Sequence, residues 1–269
     1  MSGALPLAAG RASSERHTPR RRFGQNFLAA PGIVAKIVAA VSPRPGQTVV
    51  EIGPGLGALT GPLLERLDHL HVVEIDRDLI ARLKAAFPAG RLTIHEGDAL
   101  KFDFAGLGSD LRIVGNLPYN ISTPLLFHVA RYAGRIREMH FMLQREVVDR
   151  MVAAPGGSDY GRLSVMLQYR FAMERLFIVP PGAFVPAPKV DSALVRLVPR
   201  PAAALAARDE TTLARVVMAA FGQRRKMLRN TLRDLIDEAG LEALGIRPTA
   251  RAEALAVADF VRIANHLTP

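Results

Sequence analysis

Three glycines at alternate positions stand in Glu51-Ile52-Gly53-Pro54-Gly55-Leu56-Gly57, directly after a β-branched run and before a helical stretch. A glycine loop in that context lets a small molecule lie against backbone N–H groups, because no Cβ intervenes. Glu74 follows Gly53 by 21 residues, at the end of the next predicted strand, where a carboxylate can accept hydrogen bonds from both hydroxyls of a ribose. Asp98, after Gly97 and the third predicted strand, is placed to accept one from the exocyclic amine of an adenine. Gly53, Gly55 and Ala58 also satisfy the dinucleotide pattern ending in Gly or Ala. A nicotinamide cofactor and S-adenosylmethionine therefore both fit this half of the chain, although the acid disfavours a phosphorylated ribose. A tight structural turn with exposed acids would use the same residues.

The tetrapeptide Asn116-Leu117-Pro118-Tyr119, after the fourth predicted strand, separates the two cofactors. It matches the Asn/Asp/Ser-Pro/Leu-Pro-Tyr/Phe pattern of enzymes that methylate exocyclic amines. The lone pair of an aryl amine is delocalised into its ring, which makes it a poor nucleophile. Accepting its N–H hydrogens on the Asn116 side-chain oxygen and the Leu117 carbonyl favours a pyramidal nitrogen whose lone pair can meet a methyl donor. A sulfonium is already an activated leaving group, and alkylation leaves the nitrogen cationic and acidic. No strong base is needed, and most of the catalysis is positioning. None of the seven histidines is assigned a catalytic role, and no metal is expected.

These residues need a framework that brings the ends of four strands together. From residue 47 the chain alternates β-branched runs with helical periodicity, the pattern of a doubly wound, mostly parallel sheet. The pattern predicts strands over 48–52, 71–75, 92–95, 112–115, 140–143, 176–179 and 193–198. Helices are predicted over 57–68, 77–86, 123–133, 144–153 and 161–171, the third with Ser122 as cap and Pro124 in its first turn. Ile33, Ile37, Val38 and Val41 recur at helical spacing before the first of these strands. After Pro199-Arg200-Pro201 only helical spacing recurs, through Leu213, Val216, Val217, Leu228, Leu232 and Phe260. Three parts are expected: a basic N-terminal arm over 1–22, a catalytic domain over 23–199 and a helical domain over 200–269. The length of 269 residues suits one large core with a small addition.

With no cysteine, disulfide frameworks, thiolate zinc sites, iron–sulfur clusters and cysteine nucleophiles are excluded. No apolar run reaches the roughly 18–20 residues of a membrane-spanning helix, so no membrane partner is expected and the chain is read as cytoplasmic. An Arg-rich, acid-poor start would also suit a transit peptide. The net charge of +10 is concentrated in two places. Residues 11–22 carry five arginines against Glu15, and Arg224, Arg225, Lys226, Arg229 and Arg233 form a +5 cluster without an acid. A polyanion such as nucleic acid is the expected partner, although solvated faces would carry the same charge. On one helix after Gly222, Arg225, Arg229 and Arg233 would share a face suited to tracking phosphates, with the shallow minor groove of structured RNA as a target.

Five motifs in this order resemble the ribosomal RNA adenine dimethyltransferases, and within them the small-subunit members, along almost the whole chain. They are Arg22-Phe23-Gly24-Gln25-Asn26-Phe27-Leu28, the glycine loop from Glu51 to Thr60, and Gly115-Asn116-Leu117-Pro118-Tyr119-Asn120-Ile121-Ser122-Thr123. The fourth is Phe184-Val185-Pro186-Ala187-Pro188-Lys189-Val190-Asp191-Ser192, and the fifth the basic run from Phe221 to Asn230. Gly57 stands where the family commonly has alanine. The resemblance implies a Rossmann-like S-adenosylmethionine-dependent methyltransferase fold with a mostly parallel seven-stranded sheet and a small all-helical C-terminal domain. It assigns Asn26, Leu28, Gly53, Glu74, Asp98 and Asn116 to S-adenosyl-L-methionine, and Asn116, Leu117 and Tyr119 to the target amine. Phe184 joins Tyr119 in stacking on the unstacked base, which offsets a flipping cost of a few kcal/mol with about 1–3 kcal/mol per aromatic contact. The implied reaction is N6,N6-dimethylation of two adjacent adenosines near the 3′ end of small-subunit ribosomal RNA, by a monomer acting on an immature 30S-type particle during ribosome biogenesis. A large-subunit enzyme of the resistance type is the nearest alternative, and an assembly factor that mainly binds the immature subunit is an alternative of another class.

Overall fold

The computed structural model describes residues 25–268. The arm over 1–22 lies outside the described residues, as do Arg22, Phe23 and Gly24 of the first motif.

Among the described residues nine strands form in chain order: β1 (Phe27–Leu28), β2 (Val49–Ile52), β3 (Leu70–Glu74), β4 (Leu92–Glu96), β5 (Leu111–Asn116), β6 (Ile136–Gln144), β7 (Phe171–Val179), β8 (Phe184–Val185) and β9 (Ser192–Pro199). Seven make one sheet in the order β4-β3-β2-β5-β6-β9-β7. The run from β4 to β6 is parallel, and β9 and β7 are antiparallel. All four residues of β2 are buried, as expected of a central strand covered on both faces. Val50 and Ile52 point into one apolar layer with Ile113, Leu125, Phe141 and Val148, while Val49 joins Ile37, Leu63, Val72 and Val114 in the other. Each such side chain removed from water is worth about 1.5–3 kcal/mol.

The helices on the second face are α1 (Pro31–Val41), α2 (Thr60–Leu64) and α3 (Arg77–Ala86); α4 (Ser122–Ala130), α5 (Arg145–Val152) and α6 (Arg162–Arg170) cover the first. The Asp76 side chain caps α3 by accepting from Asp78 N, and Pro31 opens α1 where its missing N–H is not needed. At the far end of α1, Arg112 of β5 donates to the Val41 and Ser42 carbonyls and pairs with Glu138 of β6. Burial pushes the Glu138 carboxyl up, but hydrogen bonds from Arg196 and Arg112 outweigh it and hold the group below its usual range. Residues 210–266 supply α7 (Glu210–Phe221), α8 (Leu228–Thr231), α9 (Glu238–Ala243) and α10 (Val257–His266). Their apolar cluster also takes in Tyr160, Val165 and Tyr169, so α6 packs on the sheet with Leu163 and Leu167 and on the C-terminal helices with its other side. No helix among the described residues is long and apolar enough to cross a membrane.

Three local expectations are corrected, and one strand pair was not foreseen. The helix predicted over 57–68 is confined to Thr60–Leu64, because Gly53, Gly55 and Gly57 all have positive φ and carry a non-helical turn. Ser122 is the first residue of α4 rather than its cap, and its hydroxyl turns back to the Tyr119 carbonyl. The pair β1 and β8 carries no periodic signal at two residues each. The basic stretch after Gly222 is not one helix: the Leu228 and Arg229 N–H groups donate to the Ala250 and Pro248 carbonyls, so only Leu228–Thr231 winds as α8. Arg225, Arg229 and Arg233 therefore do not share a helical face.

Candidate active site

The order of β4, β3, β2 and β5 reverses direction at β2 and β5, and ligands of open α/β sheets bind outside the carboxyl ends of strands at such a point. A cavity of about 210 Å³ lies there, lined by the residues that follow all four strands. Asn26, Leu28, Gly53, Glu74, Asp98, Asn116, Leu117 and Tyr119 all contribute to its wall. Phe184 does not: its ring is 2% exposed, in the apolar layer beside Leu28 and Val179.

Gly53 has φ 65°, and a Cβ on it would sit 4.0 Å from the Asn116 carbonyl oxygen. That space is a cradle a side chain would fill. Gly115 answers to a different demand, since a Cβ there would meet the Ile52 carbonyl oxygen at 2.6 Å. Its absence lets β5 run close to β2 just before Asn116.

Glu74 is 6% exposed. Its Oε1 accepts from Ile75 N at 2.8 Å and Asp76 N at 2.9 Å, and its Oε2 from Gly55 N at 3.4 Å. Burial raises the carboxyl above its ordinary value despite those three bonds. The long contact leaves Oε2 with capacity for a hydroxyl donor. Asp98 Oδ1 accepts from Leu100 N at 2.9 Å, which orients the carboxylate beside the cavity.

Asn116 Nδ2 donates to the Asn26 carbonyl at 2.9 Å. The segment carrying Asn26 is fastened at several further points. Gln25 Nε2 donates to Asp76 Oδ2 at 3.2 Å, Phe27 lies against Gly55, and Phe27 and Leu28 pair with Val185 and Phe184. Ala29 N completes the attachment on the Ala183 carbonyl at 2.8 Å. Residues 25–29 thus form a strap from the end of β3 to the end of β5.

Sequence reasoning missed several wall residues. Leu56 and Ile75 are 50% and 47% exposed, and with Leu100 and Ile121 they give the cavity apolar surfaces suited to the faces of a purine. The available signal was their position next to polar residues at strand ends, where a large apolar side chain has no core to enter. Nothing in the sequence distinguishes Glu51 from the rest of the glycine loop. It is 2% exposed beneath that loop and accepts from Thr60 Oγ1 at 2.7 Å; burial pushes its carboxyl up to about 7.

A glycine cradle, a carboxylate with spare lone pairs and apolar ring surfaces fit S-adenosylmethionine. A family model described as ribosomal RNA adenine dimethylase matches residues 16–269. The chain belongs to that family. Two relatives called ribosomal RNA small subunit methyltransferase A, from Aromatoleum aromaticum and Thiobacillus denitrificans, are 69% and 66% identical over 93% of this chain and cover 95% and 98% of their own lengths. A dimethyladenosine transferase from Plasmodium falciparum superposes with TM-score 0.76 at 26% identity, over 88% of this chain and 95% of its own. The 23S rRNA methyltransferase ErmE follows at 0.65 and 26%, over 91% and 100%. This family member is a methyltransferase that uses S-adenosylmethionine, which ends the ambiguity of the glycine loop, and its fold is the Rossmann-like one expected, with a helical C-terminal region.

Proposed function

We propose that this enzyme transfers two methyl groups to N6 of each of two adjacent adenosines near the 3′ end of small-subunit ribosomal RNA, acting as a cytoplasmic monomer on an immature 30S-type particle. The observation that carries the chemistry is the division of labour within Asn116. Its Nδ2 is spent on the Asn26 carbonyl, while Oδ1 accepts nothing from the described residues and remains for an incoming amine. The Leu117 carbonyl likewise accepts no hydrogen bond from the described residues. Two acceptors side by side draw both N–H hydrogens out of the ring plane and release the nitrogen lone pair for attack. S-adenosylmethionine, when bound, supplies a methyl on a sulfonium that needs no further activation. Glu74 holds the ribose hydroxyls, Asp98 the adenine amine, and the Gly53 turn the chain between them.

The names of the relatives at 69% and 66% identity support the small-subunit substrate over the large-subunit alternative. In this reading residues 23–199 carry cofactor and chemistry, residues 200–269 contact RNA through Arg224, Arg225, Lys226, Arg229 and Arg233, and residues 1–22 form a basic arm. Tyr119 stacks on the unstacked adenine. Phe184 is buried off the cavity wall, where β8 pairs with β1, and is not placed to join it. Mapping labelled methyl groups onto RNA from unmodified small subunits tests the proposal. Two methyls on each of two neighbouring adenosines is the expected result; labelling of large-subunit RNA alone contradicts it.

A further inference from the structure

The Tyr119 hydroxyl lies 2.6 Å from Ser192 Oγ. Ser192 is fully buried as the first residue of β9, in register with Gln144 of β6 on one side and Val179 of β7 on the other. At the other end of Tyr119, Ser122 Oγ donates to its carbonyl at 3.0 Å. Tyr119 itself stands between β5 and α4, outside any regular element. The torsion that turns a tyrosine ring is broad, so backbone position alone does not set the plane of the ring. A hydrogen bond from a strand residue held on both sides does. Burial pushes the Tyr119 phenol up from its ordinary value, against the opposing effect of Ser192, so the pair is a neutral hydroxyl–hydroxyl contact at working pH.

We propose that Ser192 is a positioning residue for methyl transfer, fixing through the Tyr119 phenol the plane of the ring that bounds the target base. The proposal rests on the reading of Tyr119 as a wall of the base site. It also gives a purpose to the hydroxyl that closes the segment from Phe184 to Ser192. That segment is attached to the cofactor strap where Phe184 pairs with Leu28, and to the base wall where Ser192 meets Tyr119. The two halves of the site are thereby held by one stretch of chain.

A double-mutant cycle of Ser192→Ala and Tyr119→Phe, read as single-turnover methylation with RNA saturating, isolates the contact. Phenylalanine keeps the ring and removes only the hydroxyl. Each single variant is expected to be about tenfold slower, the scale of one hydrogen bond. The double variant is expected to be no slower than either, with the KM for S-adenosylmethionine within about twofold of wild type. Ser192→Thr, which retains a hydroxyl, restores most of the rate. Losses that add in the double variant overturn the proposal, as does Tyr119→Phe at the wild-type rate, a result that stands even where Ser192→Ala fails to fold. Tyr119→Ala at the wild-type rate overturns the base-site reading and this proposal with it. Tyr119→Ala inactive beside Ser192→Ala at the wild-type rate overturns this proposal alone.

Discussion

The Asn116 side-chain amide donates to the Asn26 backbone carbonyl at 2.9 Å across 90 residues of sequence. One bond does two things there. It commits the nitrogen end of the amide to the strap and leaves the oxygen end with no donor among the described residues, and it ties the strap to the end of β5.

Asn116→Ala removes the acceptor and leaves the basic residues and the Tyr119 ring in place. RNA affinity should stay within a few-fold while the single-turnover methylation rate falls about 100-fold or more, the scale of losing one positioned hydrogen-bonding group. A near wild-type rate would place the chemistry elsewhere in the molecule.

Glu74→Ala should weaken S-adenosylmethionine binding at least about tenfold by calorimetry. A hydrogen bond to a charged acceptor is worth about 1.5–3 kcal/mol, and Oε2 has room to receive one from a hydroxyl. Unchanged affinity would mean that the ribose does not lie at the end of β3.

Glu51 predicts a pH-dependent stability. Its carboxyl is raised from 4.5 to about 7 by burial, so its contribution is fully present below about pH 4.5 and is lost as pH rises to about 7. Above that pH the buried charge costs about 3 kcal/mol at most. Glu51→Gln keeps an acceptor for Thr60 and cannot ionise. In the ligand-free protein its stability advantage over wild type should grow between pH 4.5 and 7 and then level off, as read by urea unfolding. A pH-independent difference would show that the group is already ionised in the folded protein.

Gly115→Ala should lower stability by at least about 1–3 kcal/mol, because its Cβ would stand 2.6 Å from the Ile52 carbonyl and β5 would have to move away from β2. Thermal unfolding measures it, and an unchanged melting temperature would mean that the two strands separate at no cost.

Within the basic cluster the five cations are not equivalent. Arg224 donates to the Ser158 carbonyl and lies 3.5 Å from Glu253, Arg229 lies 3.7 Å from Glu238 and Arg233 3.6 Å from Asp234. Arg225 and Lys226 are exposed and form no ion pair among the described residues. Replacing both with alanine should flatten the log–log salt dependence of RNA binding by about 1.5–2 units, with cofactor affinity unchanged. Replacing Arg229 and Arg233 should flatten it less, since each already faces an acid. Equal slopes in the two variants would remove the distinction.

Much of the frame was legible because its signals are local. The β-branched runs, the glycine turn at Gly53, the 21-residue step to Glu74 and the acid after β4 are all readable within a few residues. The helix predicted over 77–86 coincides with α3, whose cap and apolar face lie side by side in sequence. The basic stretch shows where that kind of reading stops. Its spacing of four is helical, but a turn some twenty residues later takes the backbone donors of Leu228 and Arg229, and periodicity carries no record of that competitor.

By itself the sequence determined the residue types at the strand ends: a carboxylate at the end of β3, an acid after β4, Asn-Leu-Pro-Tyr at the end of β5, and no thiol anywhere in the chain. Only the tertiary structure decided how those groups are oriented. Asn116 is turned by Asn26, Tyr119 by Ser192, and Phe184 is covered where β8 pairs with β1. Each contact joins residues 73 to 156 positions apart, and each depends on a hydrogen bond whose partner is chosen by the packing of the whole sheet rather than by neighbours in the chain.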